Sequence, residues 1–113
     1  MDKILIEGGK RLEGEVAVSG AKNSALPLMF SALLTDQPVR LRSVPDVADI
    51  RFAAALLEGL GARIERPAPG EIILDCSRVT SDVSDYELVR KMRASFLVLG
   101  PLLARFGHAQ IGR

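Results

Sequence analysis

Ser19-Gly20-Ala21-Lys22-Asn23-Ser24-Ala25-Leu26-Pro27 opens one of the most apolar runs in the chain. Beyond it lie Leu28, Met29, Phe30, Ala32, Leu33 and Leu34, with little polar relief. A helix that is apolar all round is a buried helix. Pro27 is tolerated only in a first turn, which places the helix start at Asn23 or Ser24. A lysine at that start adds charge to an end that the macrodipole already makes positive. Two readings follow. Either Lys22 reaches into water and Asn23 or Ser24 is a plain cap, or an anion sits on the free N–H groups of the first turn. In the second reading Lys22 adds a mobile point charge. Asn23 adds a donor and an acceptor for hydroxyls. That pair suits a phosphate or carboxylate beside a polyol.

Working outward, Ile4 to Glu7 and Glu15 to Ser19 alternate apolar and polar residues around Gly8-Gly9 and predict two short strands. Val39 to Ser43 predicts a third. Ser43-Val44-Pro45-Asp46 opens a second helix with Val47, Ile50, Ala54, Leu57 and Leu60 on one face, and Gly61 is placed to cap it. Arg63 to Arg66 and Glu71 to Asp75 predict strands joined by the breakers Pro67-Ala68-Pro69-Gly70. Ser84-Asp85-Tyr86-Glu87 fits a capping box. A third helix is expected from there through Leu99, with a kink or restart at Pro101. Ala109 to Arg113 starts a strand. The order is that of an α/β (α+β) repeat followed by the start of a second, so the chain is expected to be the front part of a larger protein.

The 113 residues suffice for one small domain, and 48% hydrophobic against 26% charged residues supports a packed core. A net charge of +1 gives no reason to expect nucleic acid or an anionic membrane as partner, so any anion site must be local. The lone Cys76 cannot form an internal disulfide and suits a reducing cytoplasm. The N-terminus lacks the features of a signal peptide. No apolar run approaches the ~18 residues of a membrane span.

Arg93 is the second candidate. On a continuous helix, Val89 and Leu97 flank it at i−4 and i+4. A half-buried guanidinium there needs partners. They are carbonyls, an internal carboxylate, or a substrate oxyanion gripped bidentately. His108 reads as a surface histidine and Cys76 as a small buried thiol. Asp46 and Asp49 read as acids of a helix start. No GxGxxG, Walker, CxxC or HExxH pattern occurs, so nucleotide-fold and metal readings have no motif support.

Taken as an ordered set, the opening stretch, Ser43-Val44-Pro45-Asp46, Leu60-Gly61-Ala62, Met92-Arg93-Ala94-Ser95, Leu99-Gly100-Pro101-Leu102 and Ala104-Arg105-Phe106-Gly107 resemble the enolpyruvyl transferases. The resemblance runs from Met1 to Arg113 and favours the branch that acts on UDP-N-acetylglucosamine. It implies an inside-out α/β barrel, helices inside and sheets outside, in two domains of three repeats each. Residues 1–20 would then belong with the other domain, and residues 21–113 would form the first part of the N-terminal domain. It implies transfer of the enolpyruvyl group of phosphoenolpyruvate to the sugar 3′-hydroxyl with release of phosphate, in the cytoplasm, without cofactor or metal. Lys22 would grip phosphoenolpyruvate, Asn23 would place both substrates, and Arg93 would hold a phosphate of the UDP-sugar. The family's acid is a cysteine on a mobile loop, the residue that fosfomycin alkylates, and it is expected beyond Arg113. Cys76 does not match it, so the 113 residues alone are expected to be inactive. The sibling branch acting on shikimate 3-phosphate has Gly-Ser-Lys-Ser where this chain has Gly20-Ala21-Lys22-Asn23. A non-catalytic anion-binding or assembly module is the rival from another class.

Overall fold

A computed structural model describes residues 2–84, 86–90 and 93–111. Helix α1 spans Lys22–Ser31, and its first backbone bond runs from the Ala25 N–H to the Ala21 carbonyl (3.0 Å). It therefore starts one or two residues earlier than expected and carries Pro27 in its second turn. Proline has no N–H, so the Asn23 carbonyl lacks its usual donor from residue 27. Ala25, Leu26, Met29 and Phe30 are buried, and a 3₁₀ turn over Ala32–Leu34 adds Ala32 and Leu33. The expectation of burial on every side is corrected: Leu28 is 50% and Leu34 59% exposed. The period of 3.6 turns one face inward, and no described element covers the other.

The two strands expected before α1 are absent. Residues 2–20 form no strand among the described residues, and Ile4, Leu5, Ile6, Leu12, Val16 and Val18 lie exposed. Alternation prepares a strand, but a strand also needs a neighbour for its N–H and C=O groups. The two segments do not supply each other with one. This arm joins the body at Gly20, where space is decisive. A Cβ there would stand 1.5 Å from the Ser43 carbonyl oxygen. Ser43 itself has φ 57, and the Val44 N–H donates to the Gly70 carbonyl (2.8 Å), so the crossing is held from the far side.

After the turn at residues 35–38, β1 (Val39–Leu41), β2 (Arg63–Glu65) and β3 (Ile72–Asp75) form an antiparallel sheet of order β1-β3-β2. Val39 and Ile64 lie opposite Leu74, and Leu41 lies opposite Ile72. These five apolar residues share the face turned to the helices. Between β1 and β2 runs α2 (Ala48–Leu60), which ends at Gly61 with φ 114, as Gly61 was expected to cap it. Ile50, Ala54, Leu57 and Leu60 are buried as expected, with Ala53 and Leu56 beside them. Val47 lies just before the helix and is exposed. Helices α1 and α2 pack on each other, with β1 against α1 and β2 against α2.

On the outer face of the sheet, Arg40 donates to Glu71 (2.6 Å), with Arg42 behind it. That hydrogen bond, more than charge alone, holds the Glu71 carboxyl below its ordinary value. A lowered pKa in the folded state means that the stabilisation is present at neutral pH. It is lost as the pH falls through the folded value. Glu71→Gln should therefore flatten the acid side of the stability curve, read as urea midpoints across the carboxylate range.

The third helix is not continuous. Helix α3 covers Tyr86–Val89, a 3₁₀ helix covers Arg93–Val98, and α4 covers Leu99–Phe106 with Pro101 in its first turn. The restart near Pro101 agrees with the sequence. The 3₁₀ form from Arg93 onward does not, and residues 91 and 92, with Asp85 of the expected capping box, lie outside the described residues. Strand β5 (Gln110–Ile111) pairs in parallel with β4 (Val83–Ser84), and residues 112–113 lie outside the described residues. Arg105 on α4 donates to the carbonyls of Leu33 (3.1 Å) and Val79 (3.2 Å) and lies over the Phe106 ring. It ties the 3₁₀ turn after α1 to the loop after β3. Arg105→Ala should cost about 2 kcal/mol, because it orphans two carbonyls that now accept charge-assisted bonds. Unfolding midpoints test this.

Candidate functional site

Lys22 and Asp49 occupy the first turns of α1 and α2, and their side chains meet with Nζ 2.9 Å from Oδ2. The two helix N-termini therefore converge. Each presents free N–H groups and about half a positive charge. Asp49 is favourably placed on its own helix end, whereas Lys22 is unfavourably placed on its own. The ion pair joins each side chain to the neighbour that suits it. Lys22 remains 46% exposed, so it is held at the surface without being withdrawn from it.

Asn23 is exposed beside Lys22 and makes no side-chain hydrogen bond among the described residues. It is not the cap. Ala21 takes that position and offers no side-chain cap, while the Ser24 hydroxyl donates back to the Ala21 carbonyl (3.1 Å). The first turn of α1 thus keeps N–H groups without a side-chain cap among the described residues.

Arg93 departs from its expected setting. It opens the 3₁₀ helix and is exposed, and no ion pair or side-chain hydrogen bond engages it among the described residues. A 3₁₀ helix has three residues per turn, so i and i+3 share a row. Ser95 and Val98 form the buried row, while Arg93 shares the exposed row with Phe96, which is 62% exposed. The flanking pair Val89 and Leu97 would face Arg93 only on a continuous α-helix. The half-buried guanidinium in search of partners is therefore corrected to an exposed, unengaged one. The 3₁₀ helix packs against α1, but no bond joins Arg93 to Lys22 or Asn23.

Cys76 is fully buried, and burial pushes its thiol pKa up against the opposing charge of Arg105. It stays a protonated thiol, not a nucleophile. His108 is exposed, with Nδ1 against the Asp82 carboxylate. Among the described residues, no group of three or more His, Cys, Asp or Glu could hold a metal, and no helix is long and apolar enough to cross a membrane. A hollow of about 470 Å³ lies between the start of α2 and the β2–β3 turn, lined by Pro45, Arg51, Arg66 and Pro69 among others. A hollow of about 200 Å³ borders Gly20, Ala21 and Ser24. Neither is lined by Lys22, Asn23 or Arg93. Asp49 is the residue that sequence reading missed as a partner. The only signal for it was its place in the first turn of the second helix, which explains an acid there without Lys22.

Over 111 residues the chain is 54% identical to UDP-N-acetylglucosamine 1-carboxyvinyltransferase of Maricaulis maris and 55% identical to that of Desulforapulum autotrophicum. These matches cover 98% of this chain but 26% of each relative, so the chain spans about a quarter of their length. The crystal structure of the enolpyruvyl transferase NikO from Streptomyces tendae superposes with a TM-score of 0.76 at 27% identity, over 88% of this chain and 23% of that one. The mixed α/β architecture is thus that of an enolpyruvyl transferase, as the resemblance implied. Residues 6–112 match the family described as EPSP synthase (3-phosphoshikimate 1-carboxyvinyltransferase). With a match running through nearly its whole length, this chain belongs to the EPSP synthase family.

Proposed function

We propose that this chain is part of an enzyme that moves the enolpyruvyl group of phosphoenolpyruvate to the 3′-hydroxyl of UDP-N-acetylglucosamine and releases phosphate. One observation carries the choice of acceptor. The two relatives named for UDP-N-acetylglucosamine match 98% of the chain at 54–55% identity. The family's own description refers to 3-phosphoshikimate, but the segment Gly20-Ala21-Lys22-Asn23 lacks the Gly-Ser-Lys-Ser of that branch. On this reading the protein works in the cytoplasm, at the first committed step of peptidoglycan synthesis.

The chemistry is addition followed by elimination. The sugar hydroxyl, giving up its proton, adds to the carbon of the enol that bears the phosphate, while a proton goes to the terminal carbon. The tetrahedral intermediate then loses phosphate and one proton from that terminal carbon, which restores the double bond. The phosphate and carboxylate need a cationic cradle. Lys22 supplies its ammonium at the junction of two helix N-termini. Asn23, exposed and unbonded beside it, orients phosphoenolpyruvate and the sugar. The free guanidinium of Arg93 takes a phosphate of the UDP-sugar, for which a planar donor fork is suited. The proton donor in this reading is no residue of this chain, since Cys76 is sealed in the core. The exposed arm of residues 2–20 belongs with the second domain of the whole protein, which would cover its apolar side chains.

Phosphate release by the full-length protein, with phosphoenolpyruvate and either acceptor, tests the reading. Turnover is expected with UDP-N-acetylglucosamine and not with shikimate 3-phosphate. The reverse preference would move the protein to the sibling branch. Release with neither acceptor would favour a binding module.

A further inference from the structure

We infer that Asp49 is a positioning residue that holds the Lys22 ammonium over the paired N-termini of α1 and α2, ready for the anion that arrives there. The inference rests on the reading of Lys22 given above and goes beyond it in assigning Asp49. Three observations support it. The 2.9 Å contact is the one ion pair Lys22 makes, and the one polar side-chain contact Asp49 makes, among the described residues. The side chains are 46% and 33% exposed, and the two helices that carry them, α1 and α2, pack directly on each other. And Lys22 has a reason to leave: two helix ends, each worth about half a positive charge, repel it. Without a carboxylate beside it, its four-carbon stem swings the ammonium into water.

A carboxylate in an anion site looks counterproductive, and the charges decide the matter. Asp49 offsets Lys22, and the two helix ends leave roughly one positive charge at the junction. The site still attracts an anion. What Asp49 contributes is aim, at the cost of some ground-state attraction. Its removal should therefore act oppositely on binding and on turnover. A misplaced group of about 1 Å can cost ~10²-fold in rate.

The test is a set of variants in the full-length protein. Asp49→Asn should lower kcat tenfold or more, within the ~10²-fold range that misplacement can cost, while KM for phosphoenolpyruvate stays level or falls. Asp49→Glu, which keeps the charge, should recover most of that loss. Lys22→Ala combined with Asp49→Asn should be no worse than Lys22→Ala alone, because Asp49 acts through the lysine. Unfolding midpoints of Asp49→Asn should fall only slightly, by the loss of its favourable place at the end of α2. Wild-type kcat in Asp49→Asn overturns the inference. So does a loss that multiplies fully with that of Lys22→Ala, or a rise in KM together with a markedly lowered midpoint, which marks a structural role. If Lys22→Ala itself is fully active, the reading of Lys22 fails along with this one. If Lys22→Ala is crippled but Asp49→Asn is not, only the assignment of Asp49 fails.

Discussion

Lys22→Ala in the full-length protein should reduce turnover by ~10²–10³-fold, the loss seen when one preorganised charge is taken from a developing anion. The folding stability should scarcely change. The Lys22–Asp49 pair is partly exposed, and pairs of that kind contribute about 0–1 kcal/mol. Removing Lys22 also relieves its repulsion from the end of its own helix. The two readouts together discriminate. A rate loss with an unchanged midpoint marks a group that faces substrate. Unchanged turnover would make Lys22 a solvated lysine whose partner is Asp49 and nothing more. Steady-state phosphate release and a urea titration on the same preparations are sufficient.

Gly20→Ala should have the largest effect on stability, about 3 kcal/mol or more. The new methyl would fall 1.5 Å from the Ser43 oxygen and 2.8 Å from the Ser43 carbonyl carbon. Both are backbone atoms, so no rotamer change relieves the clash. Insertions into packed sites cost typically ~1–3 kcal/mol, and this one meets a segment that resists displacement. Ser43 already occupies the left-handed region, and Val44 is bonded to Gly70. Yielding at either point disturbs the loop that leads into α2. The displacement would also move Lys22, two residues on, so turnover should fall with stability. A midpoint within about 0.5 kcal/mol of wild type, the range of a neutral surface change, would show that the arm can swing clear of Ser43.

How much of this was legible depends on whether the cause was local. Strands β1, β2 and β3 were readable within one or two residues because alternation and breakers lie in the strands and their turns. The cap at Gly61 was readable for the same reason: only glycine adopts φ 114 without strain. The N-terminal segments alternate as strands do, yet form none among the described residues, because pairing is not a property of the segment that pairs. The third helix was misread because periods of 3.0 and 3.6 differ little over six residues, and only the burial of Ser95 with Val98 separates them. That difference alone moved Arg93 from an apolar flank to the surface. Lys22 and Asn23 were legible as a candidate site from the helix start. Asp49 was not, because nothing in the sequence says that the second helix begins beside the first.

The parallel pairing of β4 with β5 involves two residues on each side, Val83 with Gln110 and Ser84 with Ile111. A ladder that short has no interior, so opening it breaks few bonds and uncovers little apolar surface. The β3 amides lie between two neighbours, over a core of fully buried leucines, and open only when that core does. In deuterium, the Gln110 amide, bonded to the Asp82 carbonyl at 2.9 Å, will exchange through a small local fluctuation. The Leu74 amide will report on the whole fold. The chain thus carries two grades of permanence. The firmer one underlies the junction of α1 and α2, where Lys22 meets Asp49.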